Sequence, residues 1–152
     1  MENDKIIEQM NNLIRSNKDS EEGFKTAASG VDDEQIKALF QELSSQRAHF
    51  VRELQEVVGQ YGGEPEEDGS FTGSLHRGWM DIKVAVTGND KTAILNEAER
   101  AEDYAVDAYE EAMKAELPQS VSEIVSREYH LVKAAHDRVK ALRDRSSSAA
   151  SG

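Results

Sequence analysis

The chain contains no cysteine. Disulfides, thiolate metal sites and cysteine nucleophiles are all excluded, while the compartment stays open. Proline occurs twice and glycine ten times, with most of the glycines between positions 59 and 88. Long segments on either side are thus free of helix breakers, and the Val/Ile/Thr alternation of strands is missing, so the expected class is all-α. No apolar run approaches the roughly eighteen residues that span a bilayer. The opening MENDKIIEQM lacks the basic-then-apolar order of an export signal. Positive charge is also scarce, with 18 Lys and Arg against 30 Asp and Glu and a net charge of −12. Such a surface repels phosphate backbones and anionic lipid, so no nucleic-acid or membrane partner is expected, and the reading is cytoplasmic.

What is present is helical periodicity. At 152 residues the chain makes one domain, expected over 1–145, with the serine-rich 146–152 as a disordered tail. A first helix is expected from Asp4 to about Ser29, burying Ile6, Met10, Leu13, Ile14, Phe24, Ala27 and Ala28, with Gly30 as a left-handed cap. Asp32 with Gln35 reads as a capping box, and Val31 facing Ile36 as a hydrophobic staple. The second helix runs to about Tyr61 and buries Ile36, Leu39, Phe40, Leu43, Phe50, Leu54, Val57 and Tyr61. An acidic connection follows, then a short helix from Ser74 to Val86 with Leu75, Trp79, Ile82 and Val86 on one side. Asn89 or Asp90 caps a third long helix reaching Glu116, with Ile94, Leu95, Ala98, Ala101, Ala105, Tyr109, Ala112 and Met113 inward. The fourth starts at Pro118 and reaches about Arg143, burying Val121, Ile124, Val125, Leu131, Val132, Ala135, Val139 and Leu142. Helices of about 25 residues are each about 40 Å long. Two antiparallel hairpins joined by a long crossover that contains a short helix is the ferritin-like four-helix-bundle arrangement.

Each long helix interrupts its apolar face with a polar residue: Asn17 and Glu21, Arg47, Glu102, and Glu128. Counting from the turns puts them within roughly 10 to 15 Å of one level, with His136 at its edge. A carboxylate taken out of water needs a cation, a metal or a proton. Two readings follow. In one, Glu21, Glu102, Glu128 and His136 form a reduced iron or manganese site. In the other, which is preferred, Arg47 neutralises Glu102 and Glu128 and Asn17 fills the remaining hydrogen bonds, because a guanidinium and a metal compete for the same carboxylates. The ferritin-like di-iron pattern takes Glu-x-x-His from two of its helices. Here those helices offer Gln46-x-x-His49 and Lys133-x-x-His136 instead.

Other candidates have plainer alternatives. His76 and Trp79 mark either a ligand pocket or an anchor for the crossover, and the anchor is the expected role. His49 and His130 read as surface residues, and the acid run Glu64 to Asp68 as a solvated face. No catalytic triad ordering, phosphate-binding glycine loop, metalloprotease motif or calcium loop is present.

The segments Asp19 to Phe24 (DSEEGF), Ser74 to Lys83 (SLHRGWMDIK), Thr87 to Asp90 (TGND), Glu99 to Asp103 (ERAED) and Ala134 to Asp137 (AAHD) carry a resemblance. The chain resembles an uncharacterised bacterial family of ferritin-like four-helix-bundle domains of unknown function, over nearly all of positions 4 to 143. The resemblance implies the fold and no reaction. The expected function is non-catalytic and cofactor-free, acting through protein association, as a homodimer or a stress-related accessory protein. The alternative is an iron- or manganese-binding oxidase or iron-handling protein built on the interior carboxylates.

Overall fold

The computed structural model describes residues 2–67, 74–88 and 90–151, with side chains described for 3–67, 81–88 and 90–146. The described residues form five helices and no strand: α1 (Glu2–Gly30), α2 (Glu34–Gln60), α3 (Ser74–Gly88), α4 (Lys91–Lys114) and α5 (Gln119–Ser151). Leu75, His76 and Trp79 lie in α3 outside the described side chains, and Asn89 outside the described residues.

The long helices bury narrow stripes that advance by alternating steps of three and four residues, the spacing of a seam between packed helices. The stripe on α1 is Ile6, Met10, Leu13, Asn17, Ser20, Phe24 and Ala27, and on α2 it is Ile36, Phe40, Leu43, Arg47, Phe50, Leu54 and Val57. On α4 it is Leu95, Ala98, Glu102, Ala105, Tyr109 and Ala112, and on α5 Val121, Val125, Glu128, Val132, Ala135 and Val139. Consecutive residues lie about 100° apart around a helix. Glu21, next to Ser20, therefore falls off the stripe and is half-buried. Met113 and Leu131, each next to a stripe residue, are exposed rather than core.

Chain ends and turns fix the directions. Lys91 Nζ lies 3.5 Å from Asp33, joining the starts of α2 and α4, and Thr92 Oγ1 lies 2.7 Å from Ser146 Oγ, joining the start of α4 to the far part of α5. At the other end Asn11 Nδ2 donates to Glu64 O at 3.2 Å, and Asn11 Oδ1 accepts from Glu66 N at 2.9 Å, tying the end of α2 to the start of α1. Hence α1 and α2 are antiparallel, α4 and α5 are antiparallel, and α2 and α4 point the same way. The crossover carries the chain back, and α3 packs on α1 and α4 with Ile82 fully buried. Part of the acid run is pinned, since Glu66 pairs with Arg15 at 2.9 Å.

Several boundaries differ from those read in the sequence. Asp33, not Asp32, caps α2, because its Oδ1 accepts from Ile36 N at 3.0 Å. Pro118 stands just before α5 and its carbonyl accepts from Ser122 N at 2.8 Å. The helix continues past Arg143 to Ser151. The left-handed cap is not Gly30 but Gly62 at φ 80°. There Gly63 N bonds Val58 O at 3.0 Å and Gly62 N bonds Gly59 O at 3.1 Å, a Schellman closure of α2.

Gly30 is required for a different reason, since a Cβ there would run into the Cγ1 of Val86 on α3. Gly30→Ala is expected to cost about 1–3 kcal/mol by overpacking. Urea unfolding should show most of that loss recovered when Val86→Ala is added.

Candidate functional site

The buried apolar residues divide into two clusters. One holds Met10, Leu13, Phe50, Leu54, Ala105 and Val125 among others; the other holds Phe24, Phe40, Leu43, Ile94, Ala98 and Ala135 among others. The polar stripe residues lie at the division and extend into the first cluster. Arg47, Glu102 and Glu128 are each 0% exposed, so every charge among them needs a partner within the protein.

Arg47 and Glu102 supply one another. Arg47 Nη1 donates to Glu102 Oε1 at 2.7 Å and Nη2 to Oε2 at 2.6 Å, the two-pronged geometry that suits guanidinium and carboxylate. Arg47 Nε donates to Gln46 Oε1 at 3.2 Å, and the guanidinium carbon lies 5.3 Å from the centre of the Phe24 ring. Both oxygens of Glu102 are thereby engaged by one cation.

Glu128 is satisfied differently from the sequence reading, which gave it to Arg47. Its Oε1 accepts the hydroxyl proton of Tyr109 at 2.8 Å, and Tyr109 in turn accepts from Asn17 Nδ2 at 2.7 Å. Asn17 also donates to Leu13 O at 2.9 Å. Burial, and then the neighbouring Glu53 carboxyl group, push Glu128 up to about 9. Glu53 moves the other way. Burial raises it, but the neighbouring Glu128 carboxyl group and the pairing with Arg127 take it below the usual carboxylate range. Burial, and then the charge of Glu128, raise the Tyr109 phenol well above its ordinary value. Tyr109 was legible only as a core aromatic, and Glu53 had no signal, since it sits half-buried beside the α2 stripe.

The remaining candidates stand apart. Glu21 faces Lys18 at 3.8 Å, and its backbone carbonyl accepts from Ser44 Oγ at 2.9 Å. His136 is buried, with Nε2 2.6 Å from Asp103 Oδ1 and 3.8 Å from Glu99 Oε1, and Nδ1 3.1 Å from Asp137 Oδ1. Glu99 is also paired with Arg143. Among the described residues no three His, Asp or Glu are gathered as metal ligands would be. Iron or manganese does not fit Glu21, Glu102, Glu128 and His136 as they stand, because Glu102 is held by a guanidinium and Glu128 by the Tyr109 hydroxyl. His49 and His130 are exposed. The surface clefts lined by Lys5 and Pro118, by Asp107 and Tyr129, by Glu42 and Arg138, and by Glu21 and Ser44 reach none of Arg47, Glu102, Tyr109 or Glu128.

Tyr109→Phe would strip one acceptor from Asn17 and one donor from Glu128. A loss of about 1–3 kcal/mol is expected in thermal unfolding, typical of buried polar groups left without partners.

Fold and site together define an all-helical protein whose interior polar layer is neutralised by its own side chains. The chain belongs to the family described as Domain of unknown function (DUF2383), which matches residues 5–115. The match takes in α1 to α4, with Asn17, Arg47, Glu53, Glu102 and Tyr109, and ends before α5, which carries Glu128 and His136. No curated protein compared with the chain matches it. No described helix is long and apolar enough to cross a membrane.

Proposed function

We propose that the protein is a ferritin-like four-helix bundle without catalytic activity, cytoplasmic, and acting through association with other proteins, with a homodimer as the simplest form. The observation that supports this reading is the Arg47–Glu102 pair. The level at which a ferritin-like bundle would gather metal ligands is here taken by a buried guanidinium whose two prongs engage both oxygens of the nearest carboxylate. A charge-neutral interior presents no open ligand, which leaves the surface as the acting part. Within the bundle the pair fixes the register of α2 against α4 more than it adds to stability.

The test is the metal content of protein purified without chelator, followed by titration with ferrous iron and manganese, for the wild type and Glu102→Ala. The proposal expects substoichiometric metal in both. Stoichiometric iron or manganese in the wild type, lost in Glu102→Ala, would establish the alternative, a metal-dependent oxidase or iron-handling protein using these carboxylates. Light scattering on the same samples reports association, and a strictly monomeric chain would remove the homodimer.

A further inference from the structure

The outward side of the α1–α2 pair carries a rise and a hollow. The rise is the chain just after α2, laid across both helices. Asn11 Nδ2 donates to Glu64 O at 3.2 Å, Asn11 Oδ1 accepts from Glu66 N at 2.9 Å, and Gln55 Nε2 donates to Glu66 O at 3.0 Å. Arg15 takes the Glu66 side chain at 2.9 Å. Pinned to α1 and α2 alike, the segment leaves Glu64 and Glu67 exposed. The hollow, about 710 Å³, lies further along the same side, with Lys25 of α1 and Lys37 of α2 around Ala28, Ser44, Ser45 and Ala48. Glu21, the acid that lines it, faces Lys18 at 3.8 Å. Among the described residues neither Lys25 nor Lys37 is paired with a carboxylate, in a chain with 30 Asp and Glu against 18 Lys and Arg.

We propose that two copies of the chain pair across this side about a two-fold axis, the acidic rise of each seated in the lysine-rimmed hollow of the other. The inference rests on the homodimer reading above and names its surface. Position fits first. The outward stripe of α1 is Asn11, Arg15, Lys18, Glu22, Lys25 and Ser29, none of them buried. Arg15, beside the rise, and Lys25, on the hollow, are about 15 Å apart along α1 and equally far from Ser20. A copy reversed about Ser20 therefore brings rise onto hollow twice, and sets Lys18 of each chain opposite Glu22 of the other. Size fits next. Ser44 Oγ donates to Glu21 O, which puts Ser44 and Ser45 at the midpoint, where small side chains let two surfaces approach closely. Charge fits as well. The hollow has Lys25 and Lys37 in surplus, while the rise sets Glu64, Glu66 and Glu67 against Arg15 and the exposed Arg52 of α2, and stays negative. A contact that uses the same surface of both copies is closed, so association stops at two.

Charge reversal tests the surface. Lys25→Glu with Lys37→Glu puts acids on the hollow, and Glu64→Lys with Glu67→Lys puts cations on the rise. A dimer made from either variant alone then sets like charges together at both contacts, so its Kd in sedimentation equilibrium should rise at least roughly 100-fold over the wild type. Mixed in equal amounts, the two variants should associate again as a heterodimer, because each rise once more meets a hollow of opposite charge. All four positions are exposed or half-buried, so circular dichroism and Tm should stay those of the wild type. A wild-type dimer that persists in both variants, or variants that stay monomeric when mixed, would overturn this surface and leave the homodimer standing. A wild type that is monomeric at every concentration would overturn both.

Discussion

Arg47→Met is expected to be the most damaging single substitution in the chain. It removes the cation that engages both oxygens of Glu102 and leaves a fully buried carboxylate without it. Breaking a buried pair from one side costs roughly 3–5 kcal/mol. For a domain of this size that lowers the Tm by roughly 6–20 °C. Glu102→Ala should cost a similar amount for the complementary reason, a guanidinium stranded over Phe24. Arg47→Lys is expected to fall between these and the wild type, since a single ammonium cannot engage both oxygens of Glu102 at once. Thermal unfolding followed by circular dichroism measures all three. A wild-type Tm in Glu102→Ala would mean that Arg47 finds water or another acceptor and that the layer is not dry.

The second large effect has the opposite sign. Glu128→Gln should stabilise the protein at alkaline pH. The proton-binding group has its folded value near 9, above the ordinary carboxylate range it has when unfolded. The fold therefore holds a proton that the unfolded chain has given up. Its contribution is complete below about pH 4.5, declines as pH rises, and is lost once pH passes about 9. Each pH unit across that window weakens the fold by about 1.4 kcal/mol at most. Glutamine keeps the acceptor for Tyr109 but has no proton to lose, so its stability should stay flat where the wild type declines. The acid limb should remain, because Glu53 is depressed and loses its contribution as pH falls through its folded value. Urea midpoints collected from about pH 5 to about pH 9 would display the difference. Parallel profiles for the two proteins would mean that Glu128 is already ionised in the fold.

Much of this architecture was legible in the sequence because charge inside an apolar repeat is conspicuous. Arg47, Glu102, Asn17 and Glu128 each break a run of aliphatic residues at a seam position, and all four are buried. Glu21 failed the same test because periodicity was read over too wide an arc. The strict alternation of three- and four-residue steps selects Ser20, one position earlier. The same width error put Met113 and Leu131 in the core. Partner choice was less legible than position. Tyr109 fits an apolar stripe by its ring, and only the identity of the groups opposite, Asn17 and Glu128, gives its hydroxyl a role. Glu53 lies beside its stripe, so nothing local distinguished it from the other acids of an acidic chain. That Glu128 meets Tyr109 rather than Arg47 depends on the two-pronged geometry of Arg47, which is spent on Glu102.

The most direct test of a self-neutralised interior is the unfolding free energy of the double variant Arg47→Met with Glu102→Leu, measured beside each single variant. Removing both charges at once should return stability to within about 1 kcal/mol of the wild type or above it, because neither partner is left stranded. Losses that simply add, with the double variant as unstable as the two singles combined, would contradict the account.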